Sequence, residues 1–459
     1  MALTADVAPS GDQNVDALLM KTRWDAPGLS YSFPASSVFY GQNYGGNEPR
    51  NGFAPLNEAQ SAAARQAFAM IASVANLNFT EIHEDTVRQP ELRLAGADIP
   101  GSAWAYAPGS ISINGDAWFR ASSSAFADMR PGGYGFYVFM HEIGHSVGLK
   151  HGHDVNVFGP MTADRDSMEF SIMTYRSYVG ASGRMMENEP WGYAQSLMMY
   201  DIAALQHMYG ANYTTHAGNT VYRWDAMTGQ ASIDGVAQGS PIGNRILMTV
   251  WDGGGNDTYD FSNYAVRLTI DLRPGSWTSL DTAQIAQLGY DRPARGNIAN
   301  SLLHDGDLRS IIENALGGSG NDLMMGNLVR NVLKGGSGND RLYGFEGNDV
   351  LTGGRGRDAF VFDTSPSKAN ADRISDFSVR DDTIYFDNVV FTKLPKPGKL
   401  PASAFWTGAK AHDRSDRVIY DKNSGALYYD QDGTGKATKA LVAWLDKKLK
   451  ITADDFRII

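Results

Sequence analysis

The chain has 459 residues, of which 42% are hydrophobic, and it carries a formal net charge of −11 and no cysteine. This length exceeds what one hydrophobic core usually serves, so we expect two or three domains. The negative charge argues against a nucleic-acid-binding protein, and no stretch is long and apolar enough to span a membrane. The lack of cysteine excludes disulfides, thiolate metal sites and thiol nucleophiles, so any metal must be held by histidine, carboxylate or carbonyl groups.

The beginning of the chain predicts a short leader. Residues 1–30 are polar and interrupted by proline and glycine, which is typical of a leader or pro-segment. Residues 1–13 contain neither the basic residues nor the apolar stretch of a cleaved signal peptide, so export would need another route. A strand-rich region is predicted to begin with residues 31–40.

The next segments predict a mixed helix and strand region. Asn57, followed three residues later by Gln60, has the pattern of a capping box, and an alanine-rich run continues over residues 61–75. This pattern predicts a helix. The further predicted elements are a strand over 104–113, a helix over about 136–147 and a third helix over about 193–208.

The segment around position 141 has the spacing of a zinc site. It reads HEIGHSVGLKH, and on a helix His141 and His145 lie one turn apart on the same face, where both reach one ion. Gly148 can adopt backbone angles that end the helix sharply, so that the chain reverses and His151 becomes the third ligand. Three protein ligands leave a fourth position open to water, which is typical of catalytic rather than structural zinc.

Glu142 lies beside the first of these histidines. It is predicted to be the general base, which takes a proton from a zinc-activated water and passes it to the leaving amine of a cleaved peptide bond. The short pattern HExxH also occurs on solvated helices without a metal, but the full pattern HExxHxxGxxH favours a catalytic site. His153 is an alternative third ligand, although the motif spacing favours His151.

The composition changes after about residue 211, where glycine, asparagine and aspartate accumulate and helical periodicity nearly disappears. Glycines recur every nine residues at positions 317, 326, 335, 344 and 353, and the eighth residue of each unit is apolar. These apolar residues are Met324, Leu333, Leu342, Leu351 and Phe360. One buried apolar side chain per turn predicts a parallel β-roll, and alternating segments at 382–386 and 426–429 predict further strands.

Three of the units, 317–322, 335–340 and 353–358, fit the pattern GGxGxD, and 344–349 is a near match. Glycines permit tight turns with converging carbonyl groups, and the aspartates add anionic oxygen, the type of ligand that calcium prefers. The alternative is a solvated Gly/Asp loop, for which five units in register are unnecessary. The repeats therefore predict several structural calcium ions, and we expect folding of the roll to be coupled to calcium binding.

The zinc motif, the segment SIMTY at 171–175 and the glycine-rich repeats together resemble the serralysins, bacterial alkaline metalloproteases of the metzincin group. The resemblance covers nearly the whole chain. It implies an α+β metzincin protease domain followed by an all-β parallel β-roll and β-sandwich domain. It also implies that Met173 lies beneath the zinc site and that Tyr175 is an additional zinc ligand that swings away to stabilise the oxyanion. A packed loop aromatic is the alternative for Tyr175.

The resemblance further implies that each calcium ion lies between turns two repeats apart. The first stack would then comprise Gly318, Gly320 and Asp322 with Gly335, Ser337 and Asp340, and the second Gly336, Gly338 and Asp340 with Gly353, Arg355 and Asp358. Asp349 belongs to the near-matching unit, and outlying matches are His216, Gly218, Thr220, Asp252, Gly254, Asp257 and Glu313. The second unit carries Asn327, Val329 and Asn331 in place of Gly, Gly and Asp, so its site is predicted to be weak or empty.

Substrate and export are also implied by the resemblance. It implies broad cleavage of unfolded or extended proteins, with the peptide added to a sheet edge; residues 101–106 are the candidate, or are an ordinary edge strand. It also implies export by a type I secretion machinery that reads an uncleaved C-terminal signal. Residues 454–459 are similar to such a terminus except at Arg457.

These features predict four segments: a leader (1–30), a zinc protease domain (31–211), a calcium-binding β-roll (212–360) and a C-terminal β region with the secretion signal (361–459). The predicted function is that of a secreted, monomeric, calcium-stabilised zinc endopeptidase that acts on proteins. One alternative is a non-catalytic secreted adhesion or surface-layer protein with a vestigial protease domain, which the intact Glu142 disfavours. Another is a calcium-independent zinc hydrolase of small amides, for which a long repeat region is unnecessary.

Overall fold

The computed structural model describes residues 3–42, 44–85, 88–184 and 186–459, so the first two residues of the predicted leader lie outside the described part. Its helices are α1 (Gln13–Asp16), α2 (Glu58–Val74), α3 (Tyr134–Ser146) and α4 (Met199–Tyr209). Among the described residues, no helix has the length and apolar character needed to cross a membrane.

The N-terminal part combines these helices with a five-stranded sheet. The strands of the N-terminal part are β1 (Thr4–Asp6), β2 (Thr22–Trp24), β3 (Gly28–Ser32), β4 (Asn78–Glu81), β5 (Leu92–Ala97), β6 (Ala103–Ala105) and β7 (Ala117–Arg120). The order β4-β3-β5-β7-β6 leaves β6 at the edge, antiparallel to β7, while β1 and β2 form a separate pair. Helix α3 packs against β6 and β7 beneath this edge.

The helix predicted from Asn57 is confirmed. The Asn57 side chain accepts a hydrogen bond from the Gln60 backbone N–H (3.0 Å), and the Gln60 side chain accepts one from the Asn57 N–H (2.9 Å). The strand predicted over 104–113 is wrong beyond Ala105. There the Asn114 side chain accepts from the Ile111 N–H (3.0 Å) and stabilises a turn in place of a sheet ladder.

Two other predicted elements begin or end elsewhere. The strand-rich region predicted to begin with residues 31–40 starts earlier, with β3 at Gly28–Ser32, and a 3₁₀ helix capped by Ser36 occupies Ser37–Tyr40. The third helix begins at Met199 and not near residue 193, because the Asp201 carboxylate accepts the Met198 N–H (2.9 Å) and caps the helix there.

The segment predicted to be a leader is packed into the N-terminal part. Leu18 and Leu19 are fully buried, and the Leu18 carbonyl accepts a hydrogen bond from the Lys150 N–H (2.8 Å). The Trp24 indole donates to the Ser146 carbonyl (2.8 Å) at the end of α3. These residues therefore support the end of the zinc-motif helix, and the assignment of a leader stays a prediction.

In the C-terminal part, apart from short 3₁₀ helices, the regular elements of the described residues are strands. They are β8 (Val221–Trp224), β9 (Ala231–Ile233), β10 (Val236–Ala237), β11 (Met248–Val250), β12 (Thr258–Asp260), β13 (Thr269–Asp271), β14 (Trp277–Thr278), β15 (Ile298–Asn300), β16 (Asn314–Leu316), β17 (Leu323–Met325), β18 (Val332–Ser337), β19 (Arg341–Tyr343), β20 (Val350–Arg355), β21 (Ala359–Phe362), β22 (Asp372–Ile374), β23 (Thr383–Phe386), β24 (Gly398–Lys399), β25 (Phe405–Thr407), β26 (Val418–Asp421), β27 (Ala426–Tyr429), β28 (Ala440–Trp444) and β29 (Phe456–Ile458). The strands predicted at 382–386 and 426–429 are confirmed as β23 and β27.

The parallel β-roll is confirmed by its register. One sheet runs β16-β18-β20 and the other β17-β19-β21, and each strand pairs in parallel with the strand two repeats later. Leu333 therefore pairs with Leu351, and Leu342 with Phe360. The five apolar side chains of the repeat are fully buried between the sheets, as expected for one core residue per turn.

Both sheets continue past residue 360. Strands β22 and β28 extend the first sheet, and β23 and β29 extend the second. Between the two parts of the molecule, Arg245 forms an ion pair with Glu189 (2.6 Å) and Arg295 one with Glu169 (3.3 Å). The fold class is thus the predicted one, an α+β part followed by an all-β roll, while the exact domain limits stay predictions.

Candidate active site

The zinc-motif helix is α3, which is buried from Gly135 to Ser146. Its mostly apolar residues pack on both sides, so the helix is held by the core and not by solvent-facing polar groups. His141, Glu142 and His145 are 4%, 7% and 8% exposed, which leaves them facing a cleft and otherwise fixed by packing. The site is therefore built on a rigid element.

The three histidines of the motif converge on one point. Their Nε2 atoms form a nearly equilateral triangle, with 3.1 Å between His145 and His141, 3.2 Å between His141 and His151, and 3.0 Å between His145 and His151. The centre of such a triangle is about 1.8 Å from each nitrogen, so an ion at the usual zinc–imidazole distance of about 2.0–2.1 Å fits just above its plane. This donor set therefore fits zinc.

Backbone carbonyls hold two of the imidazoles in the tautomer that binds metals. His141 Nδ1 donates to the Ile172 carbonyl (2.8 Å), and His145 Nδ1 donates to the Leu149 carbonyl (2.7 Å). Each Nε2 is thereby left with a free lone pair. Burial also lowers the pKa of His145 to about 4 and that of His151 to about 3, so the imidazoles are neutral at neutral pH.

Gly148 makes the turn that brings the third histidine back. It has φ +107°, and a Cβ there would come within 3.2 Å of Met208 Sδ and of the Thr22 carbonyl. The Leu149 N–H donates back to the Gly144 carbonyl (2.9 Å), which closes the end of α3. An L-residue at position 148 would be both strained and crowded.

Met173 is fully buried and packs against the zinc-motif helix at Gly144. A Cβ at Gly144, on the helix turn between Glu142 and His145, would come within 2.9 Å of Met173 Sδ. Glycine at position 144 therefore lets the methionine approach the helix backbone.

Asp201 and Tyr137 hold the Met173 turn, and sequence reasoning missed both. Asp201 on α4 accepts hydrogen bonds from the Ser171 hydroxyl (2.6 Å) and the Ile172 N–H (2.8 Å). The Tyr137 hydroxyl donates to the Ile172 carbonyl (2.9 Å), the same carbonyl that receives His141 Nδ1. No local pattern marks these residues, because their partners are far away in the chain.

Glu142 points into the cleft beside the triad. Its Oε2 is buried and has no hydrogen-bond partner within the described ranges. Burial raises the pKa of this carboxyl to about 8. A cation beside the carboxylate would favour its ionised form, which brings the pKa toward neutrality.

Tyr175 and His153 lie next to the triad. The Tyr175 ring is 4.4 Å from the His151 ring and 5.9 Å from the His141 ring, between centroids, and it is 41% exposed. Burial, and secondarily Glu142, raises the pKa of Tyr175 to about 12, so its hydroxyl stays protonated at neutral pH. His153 stacks on His151 (5.2 Å) outside the convergent triad.

The site opens into a cleft of 620 Å³. Its walls include Ala103 of the edge strand, Tyr134 and Val138 of α3, and Tyr193 and Arg184 beyond the Met173 turn. The candidate edge of residues 101–106 thus begins at the cleft that Glu142 faces.

The predicted calcium-binding aspartates of the roll form a ladder. The Asp322 N–H donates to Asp340 Oδ1 (2.8 Å), and the Asp340 N–H donates to Asp358 Oδ1 (2.9 Å). The Oδ2 atoms of Asp340 and Asp358 are buried without a partner among the described residues. Burial raises the pKa of Asp340 to about 7 and that of Asp358 to about 6. Burying a carboxylate without a partner is unfavourable, and a cation bound beside it would offset this cost.

The glycine turns stack as the two-repeat spacing predicts. The Ser337 N–H donates to the Gly318 carbonyl (3.0 Å), and the Gly338 N–H donates to the Arg355 carbonyl (2.8 Å). Added Cβ atoms at Gly336, Gly338, Gly335 and Gly353 would overlap, respectively, the Gly318 carbonyl, the Gly320 carbonyl, the Asp340 carboxylate and the Asp358 carboxylate. Only glycine permits this approach of turn to turn.

A separate group of predicted ligands gathers before the repeats. Asp257 Oδ1 accepts the Thr220 N–H (2.7 Å), and Glu313 accepts the Asp257 N–H (2.7 Å). The Thr220 hydroxyl donates to the carbonyls of His216 (3.2 Å) and Gly218 (3.1 Å).

Asp252 stands beside this group. Its side chain accepts from the Gly254 N–H and the Tyr222 hydroxyl, both at 2.7 Å. Burial raises the pKa of Asp252 to about 8 and that of Glu313 to about 7. These buried acids therefore form a second region with excess negative charge.

The second repeat has asparagine amides where the other repeats have glycine and aspartate, and these amides make hydrogen bonds of their own. The Asn331 amide donates to the Glu313 carbonyl (2.8 Å) and to Asn327 Oδ1 (3.0 Å). The Asn327 amide donates to the carbonyls of Leu272 (3.1 Å) and Ile312 (2.9 Å). Because amide N–H groups satisfy oxygens that a cation would otherwise bind, this geometry favours a weak or empty site.

Asp382 continues the ladder of Asp322, Asp340 and Asp358, and Asp372 forms a second ladder with Asp349. Sequence reasoning missed both residues. Asp372 accepts the Asp349 N–H (3.1 Å), and Asp382 accepts the Asp358 N–H (2.9 Å). Burial raises the pKa of Asp349 to about 8 and that of Asp372 to about 7. Both follow the glycine-rich units and stand 23 and 24 residues after their partners, so the nine-residue period did not mark them.

Comparison with known proteins agrees with this architecture. The family model described as Matrixin matches residues 51–174, and the one described as Peptidase M10 serralysin C terminal matches residues 211–395. The chain is 36% identical over 425 residues to metalloprotease AprA of Pseudomonas entomophila (strain L48), which covers 89% of this chain and 81% of that protein. The chain belongs to the serralysin family. Serralysin A of Dickeya chrysanthemi is 36% identical over 281 residues, which covers 60% of this chain and 54% of that protein.

Membership of the serralysin family makes the chain a secreted zinc metalloendopeptidase. The alternative of a non-catalytic adhesion protein is therefore set aside.

Proposed function

We propose that the chain cleaves peptide bonds inside proteins, with Glu142 as general base and Tyr175 as the group that stabilises the oxyanion. The observation that carries this proposal is the convergence of three neutral imidazoles beside a buried Glu142 oxygen that has no hydrogen-bond partner among the described residues. Bound zinc supplies a Lewis acid that activates water and polarises the scissile carbonyl. Glu142 accepts a proton and returns it to the leaving amine.

The proposed substrate is an extended segment of a protein. In the pairing of β6 with β7, the Ser102 carbonyl accepts the Arg120 N–H (2.8 Å) and the Tyr106 N–H donates to the Asp116 carbonyl (2.9 Å). Because antiparallel strands alternate, the backbone groups of residues 103 and 105 face the free edge. An extended peptide can add there as a further strand and pass Glu142.

Calcium is proposed to complete the fold of the C-terminal part. The ladder that includes Asp358 and the group around Asp252 contain buried carboxylates with raised pKa values. Their raised pKa values indicate that burial makes the ionised form unfavourable. Bound calcium offsets that cost with hard, oxygen-liganded positive charge. Glycine and aspartate of the repeats then serve stability and not catalysis.

Replacing Glu142 tests the proposed chemistry. Glu142→Gln keeps the shape of the side chain, and we expect kcat for casein to fall by about a hundred- to ten-thousandfold while one equivalent of zinc stays bound. Glu58→Gln, the same substitution on the exposed start of α2, should leave both unchanged. Equal activity of Glu142→Gln and wild type would contradict the general-base role, and loss of zinc would assign Glu142 to metal binding.

Tyr175→Phe separates the two roles offered for this tyrosine. If the hydroxyl stabilises the oxyanion, kcat should fall by about ten- to a hundredfold with KM unchanged, because the ring stays in place. A packed aromatic without a catalytic role would retain full kcat.

Type I secretion machinery is the proposed partner for export, with residues 454–459 as its signal. Phe456 and Ile458 are buried in β29, so the machinery would have to read them before the sheet forms. Deleting residues 454–459 should keep the protein inside the cell. Ile384→Ala, at the strand position that pairs with Phe456, is the control for a weakened sheet with an intact signal. Undiminished export of the deletion variant would refute the signal.

A further inference from the structure

Glu48 is a buried acid on the side of the sheet that faces away from the zinc helix. It begins a 3₁₀ helix (Glu48–Arg50) and is 5% exposed. Within the described ranges its side chain has two partners: the Trp104 indole donates to Oε1 at 3.0 Å and the Tyr106 hydroxyl donates to the same oxygen at 2.5 Å. Its Oε2 is buried and has no partner there.

Both partners of Glu48 belong to the edge strand or follow it directly. Trp104 and Tyr106 lie on one face of the strand because side chains alternate, and both pack with the small aromatic cluster around Trp118. Ala103 and Ala105 lie on the opposite face and pack against the core that contains α3. The strand is therefore held from below by alanine packing and from above by Glu48.

The backbone contacts of the strand explain why this anchor matters. Strand β6 has only three residues, and β7 is its one neighbour in the sheet. Its other edge is the one proposed to receive the peptide, so no ladder holds that side before substrate binds. A strand that is free to tilt or fray must be ordered at the moment of binding, which weakens affinity.

A carboxylate is costly at this position unless its hydrogen bonds are needed. Burying a charged group without a basic partner is unfavourable, and an apolar side chain would fill the aromatic cluster at lower cost. Gly46 leaves room for the carboxylate, since a Cβ at that position would overlap its oxygens. Burial, followed by the hydrogen bond to Glu48, raises the pKa of Tyr106 to about 12, so the tyrosine stays a donor across the working range.

We infer that Glu48 is a positioning residue for substrate: it fixes the tilt of β6 so that residues 103 and 105 present their backbone groups to an extended peptide. The inference rests on the proposed binding of peptides along this edge. Glu48 does not touch the reacting atoms, and it acts through Trp104 and Tyr106.

The test compares KM and kcat for two substrates. For a quenched fluorescent peptide long enough to pair along β6, we expect Glu48→Ala to raise KM by about tenfold and to change kcat by less than about twofold. For a short substrate that reaches only the residues flanking the cleaved bond, KM should not change. Glu48→Gln, which can still accept both hydrogen bonds, should restore most of the affinity for the long peptide.

Two further variants keep the test sharp. Tyr106→Phe retains the ring and removes one donor, so it should raise KM for the long peptide by a few-fold, and adding it to Glu48→Ala should have a smaller effect than it has alone. Glu58→Ala, on the exposed start of α2, is the control and should match wild type. If Glu48→Ala fails to fold, Tyr106→Phe decides alone.

The outcomes separate this inference from the proposed chemistry. An unchanged KM for the long peptide, or an equal loss of kcat on both substrates, would overturn the positioning role. With an unchanged KM for the long peptide, normal turnover of the short substrate by Glu48→Ala would show that the proposed chemistry stands and only the positioning role fails, whereas an equal loss of kcat on both substrates would show that the substitution disturbs the catalytic site itself.

Discussion

The histidine triad and the aspartates of the β-roll are both buried, but they differ in whether burial favours a state without charge. In the triad, burial keeps His145 and His151 neutral, and backbone carbonyls orient the imidazoles of His141 and His145, so the site is assembled from uncharged groups. In the roll, carboxylates such as that of Asp340 are buried, have an oxygen with no partner in the described part of the chain, and have raised pKa values. We therefore expect the first site to be stable before its ion binds, and we expect the proposed calcium sites to oppose folding of the roll until cations bind.

Removing each metal should therefore have different consequences. A chelator selective for zinc is expected to abolish peptidase activity while the far-ultraviolet circular dichroism spectrum and the unfolding temperature of the N-terminal part change little. Removing calcium is expected to abolish the β signal of the roll, because its carboxylates then repel one another. An unchanged β spectrum of the full chain without calcium would break the comparison.

The pH dependence of the calcium-free protein should sharpen it. The folded-state pKa values of Asp252, Asp340 and Asp358, about 8, 7 and 6, lie above the value of about 4 for an unfolded aspartate. The folded form therefore retains protons that the unfolded chain has lost, so stability that is present below about pH 4 is lost as pH rises through about 6–8. Circular dichroism of the roll in chelator should therefore show the β signal at low pH and its loss as pH rises over this range, and excess calcium should restore the signal at neutral pH.

Single substitutions in the two ladders test whether the aspartates act as cation ligands. Asp340 belongs to both predicted stacks, so Asp340→Asn should lower stability in calcium by about 2–3 kcal/mol. The matched reverse change, Asn331→Asp, restores the aspartate of the second unit while Asn327 and Val329 still replace its glycines, and it should increase the number of calcium ions bound. Calorimetric titration counts the calcium ions that each variant binds, and unfolding measured in calcium gives the change in stability. If Asp340→Asn binds as many ions as wild type with equal stability, the ladder is not a calcium site.

The support of the Met173 turn should give the smallest of these effects on stability. Asp201→Asn replaces an acceptor with an amide that faces N–H donors, so we expect a loss of about 1–2 kcal/mol in unfolding free energy. The displaced Ile172 carbonyl should also weaken zinc binding through His141. Zinc affinity measured by competition with a chelator should fall, whereas Asp128→Asn, at an exposed ion pair, should change neither property.

Sequence patterns correctly predicted the features that depend on residues close to one another in the chain. Helical spacing brings His141 and His145 together, Gly148 turns the chain, and the nine-residue period places Leu333 and Leu342 inside the roll. The strand predicted over 104–113 was wrong because short alternation does not distinguish a strand from a turn stabilised by a side chain such as Asn114.

The sequence by itself predicted the three histidines that converge, the buried apolar position of each repeat and the family, because short spacings within one motif or from one repeat to the next carry these features. Only the tertiary structure decided the supports: Asp201 beneath the Met173 turn, Asp372 at the end of a ladder and Glu48 above the edge strand. These residues act on partners between 23 and 58 positions away. Such contacts depend on how the chain packs, and no spacing rule of a helix or a strand encodes them.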